Sequence, residues 1–113
     1  MKDRELFVSA ALESIARIQS YTANFDEVQF LADGKTQDAV IRNLEVIGQA
    51  LKDYGTDALV LADPKVPWRS NAGMRNVLAH EYLGVDIVMV WDTLQMYLEP
   101  LRMALKLVLA ERK

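Results

Sequence analysis

The sequence predicts an all-α protein, an antiparallel bundle of four to five helices that forms a single domain over residues 1–113. Three observations carry this. Apolar residues recur at alternating steps of three and four through most of the chain, the spacing that places side chains on one face of an α-helix. No segment alternates with period two for long enough to make a strand. The residues between the periodic runs are those of helix ends, with Asp or Asn before a run and Gly after it.

The first stripe is Val8, Ala11, Leu12, Ile15, Ile18 and Thr22, with Asp3 as the expected N-cap. Asn24 followed by Glu27 has the form of a capping box and predicts a short helix that stops at Asp33-Gly34. The next helix is expected from about Thr36 to Tyr54, on the stripe Val40, Leu44, Ile47, Leu51 and Tyr54, with Gly55 as its C-terminal stop. Gly48 lies inside it, where Gly costs roughly 1 kcal/mol against Ala, and close approach of another helix would give it a use. Thr56 to Val66 reads as a connection with one helical turn.

Pro67 suits the first turn of a further helix, which carries Trp68, Met74, Val77 and Leu78 and should end between Tyr82 and Gly84. Asp86 can cap the last helix, on which Ile87, Trp91, Leu94, Leu98, Leu101, Leu105 and Val108 recur at four-three steps over three heptads. Pro100 lacks an N–H and clashes with the preceding turn, which predicts a kink or break beside Glu99. If this last stripe exceeds what one small core can hide, it would supply part of a dimer seam.

Composition narrows the function classes. Half the chain is hydrophobic (51%) and net charge is only −3, so a packed core is expected rather than disorder. There is no cysteine and one histidine, which excludes a disulfide framework and a structural zinc site. The charged start Met1-Lys2-Asp3-Arg4-Glu5 is unlike a signal peptide, and no apolar run is long enough to span a bilayer, so a cytoplasmic protein without membrane association is expected. The acidic balance weighs against a broad nucleic-acid surface and leaves room only for a compact basic cleft. Gly34-Lys35-Thr36 imitates the end of a phosphate-binding loop, but Gln29 stands where its first glycine would be. No dinucleotide-binding or Gly-x-Ser-x-Gly pattern occurs.

One stretch carries chemistry: Gly73-Met74-Arg75-Asn76-Val77-Leu78-Ala79-His80-Glu81-Tyr82. On a helix Asn76 and His80 share a face, as do Arg75 and Tyr82. Arg75 and His80 are about 140° apart, so they converge on one ligand only if the helix ends near His80 or a second chain contributes. Histidine can move protons near neutral pH, and arginine offers phosphate a planar fork of donors. Asparagine can orient the imidazole or hold a ribose hydroxyl. RNA brings its own nucleophile, the 2′-hydroxyl, so this set needs neither serine nor metal, and no cofactor is expected. A two-fold dimer would supply a second histidine. Spacing alone favours a structural or solvated histidine and an Arg-Asn pair that caps or bridges helices.

The flanks change that balance. Arg75-Asn76-x3-His80-x-Tyr82 resembles the Arg-x4-His-x-Tyr signature of HepT-like HEPN proteins. Lys35 to Glu45 looks like that family's central helix. Pro67-Trp68-Arg69, Gly73-Met74-Arg75-Asn76 and Gly84-Val85-Asp86 with Trp91 are similar to its motif region. The resemblance runs from about Leu6 to Leu107. Ala79 departs from it, standing where a bulkier apolar residue is expected. The resemblance implies a helical homodimer whose motifs face each other and a metal-independent endoribonuclease. It implies a toxin paired with a minimal nucleotidyltransferase antitoxin (MNT) and cleaving RNA. By position, Arg75 and His80 would be catalytic and Asn76 would support them; Tyr82 would be the tyrosine that the antitoxin modifies with AMP.

Arg42 and Glu45 read as an intrahelical ion pair or as support behind the motif. Trp68 reads as a core anchor rather than a base-stacking platform, and Arg69 as solvent-facing rather than an RNA contact. The alternative function is a non-catalytic helical subunit that binds a nucleotide or a partner and complements a nucleotidyltransferase.

Overall fold

The computed structural model describes residues 2–66, 68 and 86–112, and these form an all-α bundle; among the described residues there is no strand. The helices are α1 (Lys2–Thr22), α2 (Glu27–Leu31), α3 (Gly34–Tyr54), α4 (Thr56–Ala62) and α5 (Ile87–Arg112). The expected helix after Pro67 lies outside the described residues.

α1 packs chiefly on α3 and also on α5, α2 bridges α3 and α5, and α4 rests on α3. Side-chain contacts give the directions. Arg4, in the first turns of α1, stacks its guanidinium over the Tyr54 ring at the end of α3, 5.2 Å from the centroid, so α1 and α3 are antiparallel. Trp91 lies beside Phe30, beyond the far end of α1, with ring centroids 5.2 Å apart, whereas the Gln19 amide donates to the Glu99 carboxylate at 2.9 Å. Advancing along α5 therefore means going back along α1, and these two are antiparallel as well.

The core is made from the predicted stripes. Val8, Ala11, Ile15 and Ile18 of α1 are buried, as are Val40, Leu44, Ile47, Leu51 and Tyr54 of α3. Trp91, Leu94, Leu98, Leu101, Leu105 and Val108 of α5 close it, with Ile87 packed at its edge. Leu12 and Thr22 sit at the margin of the α1 stripe, and the Thr22 hydroxyl donates to the Ile18 carbonyl at 2.9 Å. Gly48 is buried on α3.

Several helix ends differ from the sequence expectation. α1 begins at Lys2, so Asp3 falls inside its first turn rather than before it. α2 is opened by Asp26 and not by Asn24. The Asp26 carboxylate accepts the Gln29 N–H at 2.8 Å, and the Gln29 side chain accepts the Asp26 N–H at 2.9 Å. Asn24-x-x-Glu27 and Asp26-x-x-Gln29 satisfy the same pattern. The second wins because Asn24 is still in the turn that closes α1, where Phe25 N–H donates to Thr22 O at 3.1 Å. Phe25 and Phe30 then occupy the two positions of a hydrophobic staple.

α3 starts at Gly34, two residues earlier than expected, with Asp33 as N-cap accepting from Thr36 N at 3.1 Å. It stops at Gly55, whose φ of +108° is open to glycine and disfavoured for other residues. The connection that follows is more ordered than the sequence suggests: Thr56–Ala62 is a seven-residue helix anchored by buried Leu59. Asp86 caps α5 as predicted, accepting from Val88 N at 3.0 Å and Met89 N at 3.3 Å. Pro100 does not break α5, which is continuous from Ile87 to Arg112. Pro100 and Met96 are both exposed, so the Met96 carbonyl that loses its helical donor lies on the wet side of the helix, where water can replace it.

Candidate active site

The four motif residues Arg75, Asn76, His80 and Tyr82 lie outside the described residues, as does Arg69. Trp68 and Asp86 frame their segment on either side. On the near side is Trp68, 1% exposed. Its indole Nε1–H donates to the Asp63 carbonyl at 2.8 Å, and its backbone N–H donates to Val66 O at 2.8 Å. An indole buried among apolar side chains needs a partner for its one N–H, and the turn after α4 supplies it. Asp63 holds that turn by accepting from Lys65 N at 3.1 Å. Trp68 is thus a core anchor, as the sequence suggested, and not a stacking platform. On the far side, the Asp86 cap fixes the start of α5.

Arg42 and Glu45 are placed together on α3. Their closest approach, Arg42 Nη1 to Glu45 Oε2, is 3.9 Å, a loose ion pair that leaves Arg42 largely in water (75% exposed) while Glu45 is mostly covered (24%). Both line an open groove of about 320 Å³ between α1 and α3, with Phe7, Ala10, Val46, Gln49, Ala50 and Asp53. Its floor is apolar and its α3 rim is polar. The Gln49 amide donates to Asp53 at 2.8 Å, which ties those two side chains to each other. The long Arg42–Glu45 contact commits neither partner fully, so both can meet a third group. Gln49 and Asp53 were not singled out from the sequence. The signal was present, since residues 42, 45, 49 and 53 follow the three-four-four steps of one helix face.

An all-α bundle hosts many activities, so its class alone assigns none. Comparison with known proteins gives the family. The family model described as "Ribonuclease HepT-like" matches residues 11–108, and the chain belongs to this HepT-like ribonuclease family. It is similar to a probable ribonuclease HepT of Thermococcus cleftensis, 45% identical over 83 residues, covering 74% of each chain. It is also similar to a candidate RNase of Methanocaldococcus jannaschii, 41% identical over 91 residues, covering 80% of this chain and 74% of that one. A third relative, a candidate RNase of Caldanaerobacter subterraneus subsp. tengcongensis, is 36% identical over 84 residues, with 74% of each chain covered. No solved structure gives a significant match. The matched span contains the whole Arg75–Tyr82 motif and the Arg42–Asp53 face of α3.

Proposed function

We propose that this chain is a metal-independent endoribonuclease, the toxin of a toxin–antitoxin pair, acting as a homodimer whose two motifs form one composite site. The observation that carries the proposal is Arg75-Asn76-x3-His80-x-Tyr82 within a chain of the HepT-like ribonuclease family. Support comes from the frame, because Trp68 and Asp86 anchor both ends of the segment that bears the motif.

In this reading His80 of one copy takes the proton from a ribose 2′-hydroxyl. The 2′-oxygen attacks the adjacent phosphorus, and the bond to the 5′-oxygen breaks. His80 of the other copy returns a proton to that leaving oxygen. The products are a 2′,3′-cyclic phosphate and a free 5′-hydroxyl. Arg75 stabilises the charge that builds on the phosphoryl oxygens, and Asn76 orients the imidazole or the ribose. Arg42 and Glu45, which share one face of α3, would act as positioning residues for the motif. Tyr82 is the point of control: AMP placed there by an MNT-type antitoxin would set bulk and a negative phosphate beside Arg75 and exclude the RNA backbone.

The test is cleavage of single-stranded RNA in EDTA. Wild type should leave cyclic phosphate ends. His80→Ala and Arg75→Ala should each lose on the order of 10²–10⁴-fold in rate, the size of a lost acid–base group. Undiminished cleavage by His80→Ala overturns the mechanism. If neither wild type nor variant cleaves, the chain is a binding subunit of a nucleotidyltransferase instead.

A further inference from the structure

The groove between α1 and α3 joins an apolar floor, Phe7, Ala10, Val46 and Ala50, to the polar rim of α3. Its volume of about 320 Å³ lies at the small end of the range for ligand pockets. The rim residues hold spare hydrogen-bonding capacity. Arg42 and Glu45 come no closer than 3.9 Å, beyond hydrogen-bond reach, so neither commits its donors or acceptors to the other. The Gln49 amide nitrogen donates to Asp53 at 2.8 Å, which holds that side chain and leaves its carbonyl oxygen to accept. Along one face of α3 the order is therefore donor, acceptor, acceptor, at residues 42, 45 and 49. Seven residue steps separate the ends by about 10 Å, and the long outer side chains can converge across that span on one planar group.

A flat apolar floor beside an ordered polar rim matches the face and the edge of a nucleobase. The order of the rim then separates the bases. Guanine presents the N7 and O6 acceptors, then the N1–H donor, then the N2 amino donor. Arg42 donates to the first pair, the Glu45 carboxylate accepts from N1–H and from one N2–H, and Gln49 accepts the other N2–H. Adenine would turn its N1 acceptor, and cytosine its N3 acceptor, toward a carboxylate that has no proton to give. Uracil offers one donor, N3–H, with a carbonyl acceptor on each side of it. Two acceptors held against each other in a half-covered site cost affinity. Charge points the same way. Two carboxylates and one guanidinium along the rim do not draw in a phosphate chain, and they suit the base richest in N–H donors on one edge.

We infer that the α1–α3 groove is a guanine-binding subsite, in which Arg42, Glu45 and Gln49 read the edge of the base. The inference rests on the ribonuclease reading for its source of guanine, an unpaired residue of the RNA strand. Arg42 and Glu45 then position the substrate for the motif by holding that base.

Binding and cleavage are read separately. Guanosine 5′-monophosphate, titrated against isotope-labelled protein, should shift the amide signals of α1 and α3 around the groove. It should bind roughly tenfold or more tightly than the adenosine, cytidine and uridine monophosphates. Inosine monophosphate, which lacks the N2 amino group, should bind less tightly than the guanine nucleotide. Gln49→Leu should treat guanine and inosine alike, whereas Glu45→Gln should lose the preference over adenine, both with unchanged circular dichroism. In cleavage, single-stranded RNAs carrying guanine, inosine or adenine at one position should be cut by wild type in that order of kcat/KM. Equal binding of all the mononucleotides with uniform cleavage overturns the subsite and leaves the nuclease standing. Guanine-selective binding without any cleavage supports the subsite, as one for a free guanine nucleotide, and overturns the nuclease. Shifts of the groove amides by a tetra-arginine peptide but not by guanosine monophosphate would show a protein-docking groove, and that result also overturns the subsite.

Discussion

α3 and α5 are built on the same four-three rule and end differently. α3 has one apolar stripe; every member is buried, and none of its large hydrophobic side chains is exposed. Its opposite face carries Lys35, Asp38 and Lys52, and its side toward α1 carries the polar rim of the groove, Arg42 included. α5 has two stripes of equal periodicity, one in the core and one in water, with Val88 and Tyr97 exposed besides. A helix with a single apolar face has one way to fold onto its neighbours. One with two has its inward face chosen by its neighbours, and the other, with Met89, Met96, Met103 and Leu107, is left in water.

The largest expected effect breaks this comparison inside α5 itself. Leu105 is fully buried and Leu107, two positions on, is 62% exposed. Leu105→Ala should destabilise the subunit by about 2–5 kcal/mol, through lost transfer energy and the cavity left behind. Leu107→Ala, at an exposed position, should stay within about 0.5 kcal/mol. Chemical denaturation of both at low concentration checks this, and equal costs would mean that the two stripes are not distinguished by the fold.

A smaller effect compares the starts of the same helices. Asp33 caps α3 with one hydrogen bond, and Asp86 caps α5 with two. Each Asp→Ala should cost about 1 kcal/mol. Asp86→Ala should also lower RNA cleavage more than Asp33→Ala does, because only Asp86 adjoins the motif segment. Parallel measurements of melting temperature and activity would sharpen the contrast, and identical activities would remove it.

The smallest effect concerns Glu99, at the exposed middle of α5. The hydrogen bond from Arg102, then that from Gln19, holds its carboxyl at a pKa of about 2, below the usual 4.5. A depressed acid favours the folded state while it is ionised. Its contribution is therefore complete above pH 4.5 and fades as pH falls toward 2. The pair is exposed and screened by salt, so the effect is small. Wild type and Glu99→Gln should differ slightly at neutral pH and low ionic strength and converge as the acid limb is descended. A gap that widened toward pH 2 would show that the Arg102 contact is not its source.

Much of the fold could be read without coordinates. The three long stripes, the stop at Gly55 and the cap at Asp86 rest on local physics: helical periodicity, glycine's freedom at positive φ and the unpaired N–H groups of a first turn. Where two local solutions were equivalent, sequence could not rank them. Asn24 and Asp26 both fit a capping box, and the choice depended on where α1 ended. α4 was underestimated because its seven residues carry little periodicity, and its stability comes from Leu59 packing on α3. The motif was legible as residue types and flanks, through Arg75, Asn76, His80 and Tyr82. The groove was half legible, through Arg42 and Glu45, because pairing its α3 rim with Phe7 and Ala10 requires two helices to meet.

By itself, then, the sequence determined an all-α fold, the buried faces of α1, α3 and α5, the stop at Gly55 and the cap at Asp86, since each follows from interactions within a few residues. Tertiary structure alone decided that Pro100 stays inside an unbroken helix, that Asp26 rather than Asn24 opens α2, and that Phe7 and Ala10 of α1 meet the polar rim of α3. Those outcomes depend on burial. Periodicity places residues on a common face, but only the packing of distant segments determines whether that face meets protein or water.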